Sequence, residues 1–108
     1  MFQKLGIADA MKDKAKKIPA TPVGETVARG EAEIGFQQIA ELRPVSGIDI
    51  VGPLPPDLQK ITVFSAGIAT VSKEPDAGKA LIKFLASPAA SAAIVKSGME
   101  PIPTRATN

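Results

Sequence analysis

Thr21-Pro22-Val23-Gly24 is the first place in this chain where residue type and spacing point to chemistry. A Thr cap followed by Pro at the first helical position starts a helix, and the free N–H groups there favour an anion. The same end serves equally as an ordinary helix start that holds water. Gln37 and Gln38 place two carboxamides just beyond an apolar alternation, where they donate to an oxyanion or a carboxylate, or simply end a strand at the surface. Ser65 offers a hydroxyl before Gly67, with the same two readings. Glu31 and Glu33, two apart, resemble an acid/base pair in spacing only; nothing near them would separate their titrations, and a solvated turn is the simpler reading.

What is absent narrows the chemistry further. The 108 residues contain no His, Cys, Trp or Tyr. Thiolate nucleophiles, disulfides, zinc-thiolate sites and imidazole bases are thereby excluded. No phosphate-cradling Gly loop and no cofactor or metal motif is present, so no cofactor is expected. Carboxylates, Lys, Ser and Thr alone remain for catalysis, and the expectation is a binding protein and not an enzyme. Four scattered Phe residues make no base-stacking platform, and the net charge is only +2, so nucleic acid is not an expected partner. No run approaches the ~20 apolar residues of a membrane span, so no membrane insertion is expected.

The elements that must position these groups are short and punctuated by nine Gly and ten Pro. Residues 2–5 read as a last helical turn stopped by Gly6, and 7–14 as a short helix. Residues 15–18 read as a brief strand, followed by a helix from Pro22 that stops at Gly30. Residues 33–38 place Ile34 and Phe36 on one strand face, and 48–51 form a second compact strand. Residues 61–72 are rich in Val, Ile and Thr and read as a long strand bent at Gly67. Ala77, Ala80, Leu81, Phe84 and Leu85 follow the spacing of an amphipathic helix. Ser87-Pro88 then starts a final helix that ends at Gly98. Helices alternating with strands imply an α/β fold with a mixed, mostly parallel sheet flanked by helices. Lys12, Lys14, Lys16 and Lys17 read as the solvated face of a short helix.

Four phrases in order carry a family resemblance. Val27-Ala28-Arg29-Gly30-Glu31-Ala32-Glu33-Ile34-Gly35-Phe36 is similar to the helix–Gly–Glu–Ala–strand passage of type 2 periplasmic solute-binding proteins of ABC transporters. Asp49-Ile50-Val51-Gly52-Pro53-Leu54-Pro55 and Phe64-Ser65-Ala66-Gly67 resemble two of that family's strands. Ala80-Leu81-Ile82-Lys83-Phe84-Leu85-Ala86-Ser87-Pro88 resembles its closing helices. The molybdate-binding branch is the most similar.

The resemblance covers residues 2–101 and implies the C-terminal part of a two-lobed protein. Residues 1–60 would belong to the second lobe and 61–108 to the returning strand and closing helices, as one α/β unit. It implies a small anionic solute as ligand, with Thr21, Pro22, Val23, Gly24, Gln37, Gln38 and Ser65 as ligand-binding residues. The molybdate-type members bring a Tyr near the position of Gln38, and this chain has none. An ABC permease is the implied partner of a full-length form, and periplasmic placement follows from the family, or cytoplasmic placement if Met1 is the true start. One side of a two-sided cleft leaves edges uncovered, so a homo-oligomer, a dimer or a swapped dimer, is expected. The alternative is a stand-alone oligomeric ligand-sensing or interaction module without a transport role.

Overall fold

The order of elements is a series of short helices joined by extended chain, in a computed structural model that describes residues 1–102. The helices are α1 (Ala8–Met11), α2 (Val23–Ala28), α3 (Ile39–Leu42), α4 (Pro75–Leu85) and α5 (Pro88–Ser97). Residues 103–108, the end of the expected 61–108 section, lie outside the described residues. The chain divides into one compact unit, Met1–Ile61, and a second that begins at Thr62.

The helix ends follow the glycines. After α2 the Gly30 N–H donates to Val27 O at 2.9 Å and the Glu31 N–H to Thr26 O at 3.1 Å. After α5 the Gly98 N–H donates to Val95 O at 3.0 Å and the Met99 N–H to Ile94 O at 3.2 Å. Both are Schellman closures, which need one residue in the left-handed region. Gly30 at φ 74° and Gly98 at φ 99° supply it without the Cβ clash that any other residue would meet. The turn at 2–6 closes with the same pair of bonds, Gly6 N–H to Gln3 O and Ile7 N–H to Phe2 O.

Two helix starts differ from expectation. Pro22 is the N-cap of α2 and not its first residue: its ψ of 128° is extended, so the helix begins at Val23. Thr21 therefore stands one residue too early to cap. Ser87 does flank α5 with Pro88 at the first turn, but its hydroxyl makes no cap. It donates backward to Phe84 O at 2.5 Å, at the end of α4.

No strand is paired among the described residues, so the expected strands at 15–18, 33–38, 48–51 and 61–72 run as extended or irregular chain. A ladder needs a second backbone at ~4.8 Å joined by N–H···O=C bonds, and among the described residues none of these segments is so paired. Their apolar side chains are correspondingly exposed: Ile34 by 65%, Val63 by 59% and Phe64 by 63%. The described residues display the helices of the expected α/β unit and none of its sheet.

Packing within the first unit centres on α2 and α3. Gly24 is buried, and a Cβ there would stand 3.1 Å from Val45 Cγ2 and 3.2 Å from Leu42 Cδ2. α3 and the following turn close on α2 at this glycine. On another side of α2 the backbone of Gly35 lies against Val23 and Val27, where a Cβ would meet Val23 Cγ1 at 2.6 Å. Phe2 and Phe36 meet edge to face, with centroids 6.4 Å apart, a geometry suited to the ring quadrupoles. In the second unit α4 and α5 pack at an angle of 71°, and Ile68 lies over Gly78 of α4. Ala90 is the one buried hydrophobic side chain among the described residues. Leu81, Phe84 and Leu85, the apolar face of α4, remain about half exposed.

Candidate functional site

The start of α2 is where the chain gathers most of its predicted site residues. Proline has no side-chain acceptor, so the N-cap position cannot satisfy the first free N–H groups itself. Gln37 does it instead. Its Oε1 accepts the Gly24 N–H at 3.4 Å, across thirteen residues of sequence. The close seat of Gly35 on Val23 and Val27 holds the segment two residues before Gln37 in place. The carboxamide thus performs an N-cap's task from a distant part of the chain.

Beside this contact opens a cleft of about 430 Å³ lined by Ile18, Pro19, Ala20, Thr21, Pro22, Gln37 and Glu41. It is shallow and wide open, so a ligand here would keep one side toward solvent. Thr21, Pro22 and Gln37, with Gly24 behind, are brought together here. Val23 is placed differently, packed against Gly35. Gln38 is the exposed N-cap of α3, does not line the cleft and makes no side-chain cap bond. Ser65 is exposed in the second unit.

A second cleft, also of about 430 Å³, shares Pro22 and Glu41 with the first and is lined besides by Glu25, Ala28, Arg29, Pro44, Val45 and Ser46. Arg29 is the one cation lining either cleft, and it is engaged already. Its guanidinium lies 2.6 Å from Glu31 and 3.8 Å from Glu25. The Glu31 carboxyl is held below its usual range, first by the hydrogen bond from Arg29 and then by its charge. Arg29 is raised in turn, chiefly by the same bond. Glu31 therefore belongs to a surface ion pair and not to an acid/base couple with Glu33.

Glu41 lines both clefts, and sequence reasoning passed it over. A lone Glu in Ile39-Ala40-Glu41-Leu42 reads as the solvated side of a helix. No local signal marks it, because Gln37 precedes the extended N-cap Gln38 and shares no helical register with Glu41. Among the described residues no group of three or more potential metal ligands comes together. No single helix among them is long and apolar enough to cross a membrane.

A family profile described as bacterial extracellular solute-binding protein matches residues 1–100, and the chain belongs to that family. An aconitate isomerase from Pseudomonas sp is 46% identical over 105 residues, which is 97% of this chain and 40% of that protein. The chain thus spans well under half the length of this curated relative. No solved structure matches. The family bears out a solute-binding reading and agrees with placement outside the cytoplasm. The relative corrects the expectation that the chain is not an enzyme. That expectation rested on the lack of His, Cys and Tyr, but a carboxylate moves protons as well as an imidazole does.

Proposed function

We propose that this chain forms one wall of a site for aconitate or a closely similar small polycarboxylate, within an isomerase built on the solute-binding fold. The observation that carries this reading is the 46% identity with the Pseudomonas aconitate isomerase over nearly the whole chain. The cleft at α2 supports it with two neutral donors, the Thr21 hydroxyl and the Gln37 carboxamide N–H₂, while the Gly24 N–H is already taken by Gln37 Oε1. Such groups hold a carboxylate without carrying charge themselves. A trianion also needs cations, and Arg29 is already paired. In this proposal the nearest counter-charges in sequence are Lys16 and Lys17, which precede Ile18 of the cleft lining.

Calorimetric titration with cis-aconitate, trans-aconitate, tricarballylate, molybdate and sulfate tests the reading. Binding of either aconitate isomer in preference to the inorganic oxyanions is the expected result. Preference for molybdate would favour the molybdate-like specificity and uptake through an ABC permease from the periplasm. A stable dimer that binds none of the five would favour the interaction-module reading.

A further inference from the structure

We propose that Glu41 is the catalytic residue that carries the proton in the isomerisation, an inference that rests on the aconitate reading above. Aconitate has one methylene group, which is both allylic and adjacent to a carboxylate, so its protons are the acidic C–H bonds of the molecule. Removing one leaves an electron pair delocalised over the three-carbon backbone and its carboxylates. Returning the proton to the former alkene CH carbon shifts the double bond by one position. The skeleton is symmetric about its central carbon, so the product is aconitate again. The conformation held at the moment of protonation sets the new geometry. No oxidant, reductant or second substrate enters, and one group that takes and returns the proton completes the cycle.

The cleft with Thr21 and Gln37 has one titratable residue in its lining, Glu41. Its position follows from packing. Leu42 and Val45 press on Gly24 of α2, which fixes the rotation of α3. Successive residues on a helix are ~100° apart, so with Leu42 turned to α2, Glu41 is turned along the flank toward Pro22 and Gln37. The other carboxylates nearby are differently disposed. Glu25 lines only the second cleft and Glu31 lines neither, and both are paired with Arg29. Thr21 lacks an adjacent base to make its hydroxyl a proton acceptor. Glu41 is exposed and enters no ion pair among the described residues, so its carboxylate is open to a ligand in the cleft.

The test compares the full wild-type chain with Glu41→Gln, Glu41→Asp and Glu33→Gln. Proton NMR in D₂O follows exchange of the aconitate methylene and isomerisation, and calorimetry measures affinity for trans-aconitate. Wild type is expected to exchange and isomerise. Glu41→Gln should lose at least ~100-fold in both rates, the scale of a general acid–base group, with affinity within about threefold. Glu41→Asp should keep a measurable fraction, Glu33→Gln should match wild type, and circular dichroism should be unchanged throughout. Retention of more than about a tenth of the rate in Glu41→Gln overturns the assignment. So does a loss of rate matched by an equal loss of affinity, or a wild-type chain that binds aconitate without isomerising it. Failure of every form to bind aconitate overturns the function proposed above and this inference with it, which separates the two.

Discussion

The Oε1 of Gln37 accepts the backbone N–H of Gly24 at 3.4 Å, so a residue from beyond the helix stands in for the cap that Pro22 cannot provide. Replacing it with Ala removes the acceptor and leaves the N–H to water. The bond is long and only partly buried, so the expected stability cost is at or below ~1 kcal/mol by urea denaturation. Affinity for aconitate should fall tenfold or more, because the carboxamide also lines the cleft. Equal affinity in Gln37→Ala would remove the carboxamide from the ligand site.

The two glycines that let chain approach α2 should respond differently to Ala. At Gly35 a Cβ meets Val23 Cγ1 at 2.6 Å and Val27 Cγ2 at 2.9 Å, both on stiff β-branched side chains. Gly35→Ala should cost about 1–3 kcal/mol by overpacking. At Gly24 the contacts are 3.1–3.4 Å, and two of the three are ends of the longer Leu42 and Ile48 side chains. Ala also gains about 0.8–1.0 kcal/mol of helix propensity there, so Gly24→Ala should be close to neutral. The reverse ranking by thermal melts would contradict this packing.

Acid should act on the Arg29–Glu31 pair with a defined sign. The folded-state pKa of Glu31 is depressed, so its contribution is present above the ordinary carboxylate range and is lost as pH falls through the folded value. Both groups are exposed, so the contribution is small. The Tm difference between wild type and Glu31→Gln should be slight near neutral pH and shrink toward zero on acidification. A difference that grows with acid would contradict the assignment.

The exposed segment around Val63 and Phe64 should drive self-association. An uncovered run of β-branched and aromatic residues with free backbone groups is a template for strand pairing. Light scattering should show concentration-dependent association, which Val63→Lys combined with Phe64→Lys reduces. A monomer at all concentrations would count against the homo-oligomer.

How much of this was readable beforehand depends on how local the determinant was. Gly30 and Gly98 end their helices as expected, because a left-handed residue and two backbone bonds lie within six positions. The amphipathic spacing of α4 is local in the same way. The strands at 33–38 and 61–72 depend on a partner backbone that neither unit supplies, so composition alone did not place them in a sheet. Thr21 and Gln37 were legible as polar groups at element ends. The bond from Gln37 to Gly24 was not, because it depends on Gly35 seating against Val23 and Val27. Glu41 escaped notice since its setting is made by Gly24, seventeen residues earlier, and by no motif around itself.

Arg29, divided between Glu25 and Glu31, has a further consequence for kinetics. A cation whose charge is already balanced presents little field beyond its own ion pairs. Arg29 therefore adds little to any long-range pull on an anion that approaches this wall. The ionic-strength dependence of the encounter rate should follow Lys16 and Lys17, beside Ile18 of the cleft, and not Arg29.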